Sequence, residues 1–171
     1  MILAFDTHYI SNKAKTVCLA FESWAKTETF EVYTETLDGV EDYISGEFYK
    51  RELPCILSLL KKIKLELLEA IIVDGFVYLD DFERLGLGGR LYESLESKVP
   101  VIGVAKTNFA SIEKNKRALI RGKSKNPLYI TAIGIDLDTA TELIQQMGGE
   151  NRIPTALKKL DTLTKEKSID R

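Results

Sequence analysis

Histidine occurs once in this chain, as His8, and cysteine twice, as Cys18 and Cys55, with no Cys-x-x-Cys pair. So few nitrogen and sulfur ligands argue against a zinc site. Any metal chemistry then falls to oxygen ligands, which points to Mg2+ or Mn2+. No apolar run approaches the roughly 18–20 residues that span a bilayer. The opening Met1-Ile2-Leu3-Ala4-Phe5-Asp6 lacks the basic stretch of a signal peptide and reads directly as a strand. No membrane association is expected. Cys18 falls in an apolar strand and Cys55 on an apolar helix face, which reads as two reduced core thiols and fits a cytoplasmic location. A large excess of positive charge is also missing. The net charge of −2 excludes a molecule that is basic all over, as a general nucleic-acid binder would be.

The remaining composition, 44% hydrophobic and 29% charged, belongs to a globular protein, and 171 residues are enough for one domain spanning 1–171 with its own core. Charge is unevenly placed. Residues 22–52 carry nine acidic and three basic side chains, whereas between Lys106 and Lys125 the only acidic residue is Glu113, beside Lys114, Lys116, Arg117, Arg121 and Lys123. The second stretch reads as a phosphate-binding face or as solvated loop lysines.

The stretch Ala70-Ile71-Ile72-Val73-Asp74-Gly75 is the centre of the pattern. A buried strand that delivers a carboxylate to its C-terminal tip builds either an active site on an open sheet or an ordinary Asp-Gly turn. Around it, Ile2 to Phe5 reads as a short strand ending at Asp6. Lys15 to Ser23 and Thr27 to Thr36 read as two more strands, the last with Phe30, Val32 and Thr34 on one face. A helical stripe covers Leu53 to Leu68, beginning just before Pro54 or distorted there. Leu85 to Leu95 forms a second helix whose Gly86, Gly88 and Gly89 allow close approach to the sheet or a ligand. Val99 to Ala105 is a strand ending at Lys106, and Leu128 to Ile135 another. Leu137 to Met147 is a helix with Asp136 as N-cap. Pro154 to Leu163 is an amphipathic segment charged enough to lie on the surface. The fold class is therefore α/β, a mixed β-sheet flanked by helices, with the antiparallel opening and parallel crossovers of ribonuclease H-like folds.

Asp6, Asp74 and Lys106 then end strands that can meet at one sheet edge. Two carboxylates there repel unless a cation lies between them, and a lysine beside them supplies charge where a phosphoryl transition state gains it. A structural salt bridge between Lys106 and either Asp explains the same residues.

Several blocks, in order and covering most of the chain, resemble the endonuclease V family. They are Asp6-Thr7-His8-Tyr9, Asp42-Tyr43-Ile44-Ser45-Gly46 with Arg51-Glu52, Val73-Asp74-Gly75, Arg84-Leu85-Gly86-Leu87, Gly103-Val104-Ala105-Lys106, Tyr129-Ile130-Thr131 and Thr139-Ala140. The resemblance implies a ribonuclease H-like nuclease that cuts a DNA or RNA strand near deoxyinosine or inosine. It implies that Asp6 and Asp74 bind magnesium, that Glu52 completes the acidic site directly or through water, and that Lys106 contacts the scissile phosphate or the attacking water. Tyr43 and Ile44 would form the wedge that opens the strand, and Gly75 would bound the base pocket. Without the family, Glu52 reads as a solvated partner of a helix start.

The chain also departs from the family. Asp42 and Ser45 stand where the wedge has prolines. Phe76 and Val77, then Asp80-Asp81, follow Val-Asp-Gly where the family has a polar residue, a glycine and His-Pro. The family histidine near the last strand falls at Ile133 or Gly134, and His8 is the one residue left to substitute in part. The chain begins almost on the first strand, where the family commonly carries a helical extension. These departures keep open a second reading, a nucleic-acid-binding relative of altered specificity with weak or no catalysis.

Overall fold

The computed structural model describes residues 1–40 and 48–167. The expected wedge residues Tyr43 and Ile44 lie outside them. Strands β1 (Ile2–Ile10) and β2 (Lys13–Phe21) are joined by Ser11-Asn12 and pair antiparallel over nine residues. The strand β3 (Glu31–Asp38) pairs antiparallel with β2 and ends the sheet on that side. Its inward face is Tyr33, Glu35 and Leu37, so Val32 and Thr34 point to solvent.

The helix α1 (Phe48–Leu60) returns the chain to β4 (Ala70–Asp74), which lies parallel to β1. After α2 (Leu87–Ser94) comes β5 (Val101–Ala105), parallel to β4. The short β6 (Arg117–Leu119), which has no clear apolar pattern, and β7 (Leu128–Ile133) complete a seven-stranded mixed sheet of order β3-β2-β1-β4-β5-β7-β6. The helices α3 (Leu137–Gln146) and α4 (Thr155–Lys165) close the chain.

Strand alternation sorts the core into two layers. Ile2, Ala4, Val17, Leu19, Ile72, Ile102 and Ile130 pack under Ala140, Ile144 and Leu160 of α3 and α4. Leu3, Phe5, Cys18, Ile71, Val73 and Val101 pack under Ile56, Leu59 and Leu91 of α1 and α2. Both cysteines are free and buried, as expected. Among the described residues no helix is long and apolar enough to cross a membrane. The close approach expected of the glycines is found in α2: a Cβ on Gly88 would stand 2.8 Å from Val77 Cγ2. Asp136 caps α3 as expected, its carboxylate accepting the Thr139 N–H at 2.9 Å.

Three elements differ from the sequence reading. The strand β1 runs on to Ile10 rather than ending at Asp6, because β2 keeps pairing with it after the parallel register with β4 stops at Phe5 and Val73. The helix α1 carries Pro54 in its interior and stops at Leu60, short of Leu68. The closing segment is not a surface helix on all sides, since Ala156, Leu160 and Thr164 of α4 are buried.

The basic stretch after Lys106 also divides. Arg121 is 3% exposed, and its guanidinium donates to the carbonyls of Met147 and Asn151 at 2.7 Å and of Gly149 at 3.2 Å. It is a structural cation and not part of a phosphate face. Arg117 donates to Asp138 at 2.7 Å. Arg121→Ala leaves those buried carbonyls unpaired and is expected to cost about 3 kcal/mol in urea denaturation. A loss below about 1 kcal/mol would show that the turn after α3 holds without it.

Candidate active site

The divergence of β1 from β4 sets the site. β1 continues as a ribbon with β2 while β4 ends at Asp74, so Asp6 and Asp74 flank the notch where the sheet splits. β5 delivers Lys106 one strand further on. On the α4 side of the sheet these three residues line a cleft of about 30 Å3, walled by Phe5, Val104, Leu128 and Leu157 and completed by Asp161 of α4. That volume suits a small ion with one or two waters.

Asp6 is 8% exposed; its Oδ1 accepts the Thr7 N–H at 2.9 Å, and the Thr164 hydroxyl lies 3.4 Å from Oδ2. Burial, and then the Asp74 charge, push its pKa up to about 6, against the pull of the Thr7 N–H and Lys106. Asp74 stands at the exposed end of β4. Its carboxyl is nevertheless raised, first by the surrounding protein and further by Asp161, with Lys106 opposing. Asp161 is also raised by burial, but its hydrogen bond to Lys165, at 3.0 Å, and the charges of Lys106 and Lys165 bring it out below the usual range. Lys106 Nζ lies 3.9 Å from Asp161 Oδ1.

Glu52 comes from α1, on the opposite face, and does not line the cleft. It is only 2% exposed, so it is neither a solvated residue nor one at a helix start. Its carboxyl is held well above the ordinary value by burial and by the charges of Asp6 and Asp74, with Arg51 opposing. The Arg51 guanidinium lies 3.5 Å over the ring of Tyr9. Thus Asp6, Asp74 and Lys106 meet as expected, Glu52 joins them electrostatically from behind the sheet, and Gly75 leaves the site with φ +133°, a conformation side chains rarely adopt.

Asp161 is the residue that the sequence reading missed. It lies in the stripe Leu157, Leu160, Asp161, Thr164, so a carboxylate stood at a core-facing helical position, and that is the signal that could have found it. The positions assigned to the family histidine lie elsewhere: Ile133 pairs with Val101 at the far end of β5, and Gly134 packs on Tyr92 and Pro100. His8 is half-buried two residues past Asp6 and does not line the cleft. Asp80 and Asp81 bind backbone: Asp81 accepts N–H groups of Glu113, Lys114 and Asn115 at 2.9–3.3 Å, tying together the loops that leave β4 and β5.

Other groups hold the site in place. Arg152 donates to the carbonyl of Lys106 at 2.6 Å and of Pro127 at 2.8 Å. Lys15 donates to the carbonyls of Leu163 and Glu166 at 2.8 Å each, anchoring the C-terminal turn of α4 beside Asp6. Gly103 lies under Gly75: a Cβ there would stand 2.5 Å from both the Gly75 carbonyl and Thr131 Oγ1. Gly103→Ala is therefore expected to cost about 1–3 kcal/mol of stability in urea denaturation through overpacking. It also shifts Asp74-Gly75; unchanged stability would mean that β4 yields freely.

The donor set can be tested against a metal. Among the described residues no three His, Cys, Asp or Glu side chains converge closely enough to chelate one ion. Magnesium does not need such a cage, because it keeps several waters and takes one or two carboxylates plus substrate phosphate. Asp6 and Asp74 in the cleft, and Glu52 behind the sheet, all have raised proton affinity, the electrostatic signature of a place short of positive charge. The oxygen-only chemistry fits a hard divalent cation.

An open mixed sheet with this strand order, carrying carboxylates on its first and fourth strands and on its last helix, is a ribonuclease H-like fold with acidic residues at its centre. The sequence profile for endonuclease V matches residues 1–162. The chain belongs to the endonuclease V family. Solved structures agree on the fold. Bacillus subtilis endonuclease V is 22% identical with a TM-score of 0.74, over 95% of this chain and 77% of that one. Ciona intestinalis endonuclease V, in complex with a 24mer DNA containing an inosine followed by a ribo-adenosine, is 20% identical with a TM-score of 0.75, over 95% and 83%. The catalytic domain of human endonuclease V is 18% identical with a TM-score of 0.76, over 95% and 80%. Among curated protein sequences none matches the chain.

Proposed function

We propose that this protein is a magnesium- or manganese-dependent endonuclease that hydrolyses a phosphodiester bond near a deaminated base, inosine or deoxyinosine, in a DNA or RNA strand. The observation that carries this reading is the convergence of Asp6, Asp74 and Lys106, with Asp161, in one small cleft at the split of the sheet. Family membership and the relative bound to inosine-containing DNA support it.

A bound divalent cation would supply Lewis-acid polarisation of the phosphoryl oxygen and a water acidic enough to attack at neutral pH. Asp6 and Asp74 would hold it, joined by Asp161, and Glu52 would act through water from behind the sheet. Lys106, its head exposed at the mouth of the cleft, meets the non-bridging oxygens that gain charge as the attack proceeds. Its ion pair with Asp161 is long and solvent-accessible, so the ammonium can turn to a phosphate at little cost. Water attacks phosphorus, the 3′ oxygen leaves and takes up a proton, and the products carry 3′-hydroxyl and 5′-phosphate ends. The buried free thiols of Cys18 and Cys55 fit work in the reducing cytoplasm.

The test is a single strand with one inosine, incubated with the protein and Mg2+ or Mn2+. Cleavage beside the inosine is expected. No cleavage at any excess of protein overturns this reading, and salt-dependent binding without cutting hands the site to the non-catalytic relative.

A further inference from the structure

Asp161 holds two cations at once, one on each oxygen. Lys165 Nζ donates to Oδ2 at 3.0 Å, and Lys106 Nζ lies 3.9 Å from Oδ1. The hydrolytic chemistry uses Lys106 and leaves Lys165 without a task. Lys165 stands one turn past Asp161 on α4, and its neighbour Thr164 reaches to 3.4 Å from Asp6 Oδ2. The backbone of this turn is fixed, because Lys15 of β2 donates to the carbonyls of Leu163 and Glu166 at 2.8 Å each. The Lys165 side chain is free to move. It is 56% exposed, and among the described residues Asp161 is its one ion-pair partner. An i,i+4 pair open to water holds its lysine weakly.

The field at Lys165 comes from the whole cleft. The hydrogen bond and charge of Asp161, and then the charges of Asp6 and Asp74, hold its pKa above the ordinary lysine value. Lys165 in turn joins Lys106 in opposing the burial that raises Asp74. Asp6, Asp74 and Asp161, set against Lys106 and Lys165, leave one negative charge unmet. A divalent cation among these carboxylates would leave one positive charge, which one phosphodiester cancels. Such a cation also spends the charge of Asp161 and repels the ammonium beside it.

We propose that Lys165 is an exchange cation of the cleft: it neutralises Asp161 while no metal is bound, and turns to a second phosphate of the bound strand once Asp161 takes up a divalent cation. The inference rests on the nuclease reading and adds a phosphate-binding residue to it. Lys106 meets the scissile phosphate and Lys165 a neighbouring one. A strand that arrives before the metal finds Lys165 engaged, so metal and strand strengthen each other's binding.

The test reads binding rather than cleavage. Fluorescence anisotropy of a single strand with one inosine is followed as KCl is raised, in EDTA and again in Ca2+, with the strand checked intact on a gel. Each phosphate contact on a single strand adds about 0.7 to the slope of log affinity against log salt. In Ca2+ the wild type is expected to exceed Lys165→Gln by about 0.7 in slope and about fivefold in affinity at 0.1 M salt, and Lys165→Arg to restore both. In EDTA wild type and Lys165→Gln are expected to coincide, since Asp161 holds the ammonium. Asp161→Asn releases it, so in that background the difference appears in EDTA too. Without a strand, Lys165→Gln is expected to lower the Mg2+ concentration for half of the thermal stabilisation by up to about fivefold, because a competitor for Asp161 is gone. A slope difference of full size already present in EDTA would make Lys165 a plain phosphate contact, and equal slopes in Ca2+ a plain helix-surface ion pair. Either result overturns the proposal. Equal slopes with cleavage in Mg2+ sink the exchange alone, whereas the metal-dependent difference without cleavage sinks the nuclease reading and leaves the exchange standing.

Discussion

Asp74→Ala is expected to lower cleavage of an inosine-containing strand by about 10³-fold while leaving the protein folded. The size follows from what the carboxylate does. On the proposed reading a cation at the phosphoryl oxygen would contribute several kcal/mol of transition-state stabilisation, and the cleft would have few other ways to hold it. Glu52 stands behind the sheet, and Asp161 is already paired with Lys165 and Lys106. The fold does not depend on Asp74, which lies at the exposed end of β4, whereas the hydrophobic core ends at Val73. Its removal also relieves repulsion felt by Asp6 and Glu52. Single-turnover rates in Mn2+ and thermal melts of the same preparation check both halves. Cleavage within tenfold of wild type would remove Asp74 from the reaction, and a melt lowered by many degrees would show that the loss came from unfolding.

The second large effect is the opposite sign of function and stability at Asp6. Its folded-state pKa of about 6 lies above the ordinary 3.8, so between those values the folded protein holds a proton that the unfolded chain has released. Stability that depends on this group is therefore present below about pH 4 and lost as pH rises through about 6. At pH 7.5, without metal, the ionised carboxylate costs the fold up to about 3 kcal/mol. Asp6→Asn keeps an acceptor for the Thr7 N–H and removes the charge. It is expected to stabilise the metal-free protein at pH 7.5 by up to that amount, to match wild type near pH 4, and to lose cleavage.

Other carboxylates run the other way, since Asp81, Asp136 and Asp161 are lowered and lose their contribution in acid. The informative quantity is therefore the difference between the two proteins at each pH, from urea denaturation in EDTA. A variant less stable than wild type at both ends would show that Asp6 is a structural anchor. A divalent cation opposes the same repulsion, so wild type is expected to gain thermal stability from Mg2+ at pH 7.5 and to gain little near pH 4, where protons occupy its ligands.

Much of this site is legible in the chain because each block that builds it is local. Apolar β-formers that run into Asp74-Gly75, and again into Lys106, announce buried strands with polar tips, and parallel neighbours bring such tips to one edge. Glu52 is different. Its position next to Arg51 and before Pro54 looks solvated, and only the packing of α1 against the sheet, with Arg51 lying over Tyr9, takes the carboxylate out of water. Arg121 shows the same limit with the sign reversed. A basic residue in a lysine-rich stretch reads as surface, but the turn after α3 presents it with carbonyls that need a donor.

By itself the amino-acid order determined the central strands with polar tips, their two-sided burial, and the placing of Asp6, Asp74 and Lys106 at one edge of the sheet. Those follow from periodicity and residue type, which act over a few positions. The tertiary structure decided that β1 outruns β4 and opens the notch, and that α4 brings Asp161 to a carboxylate whose chain position is 155 residues earlier. Such meetings depend on where strands stop pairing and how helices cross the sheet, and no local pattern encodes a contact between segments that far apart.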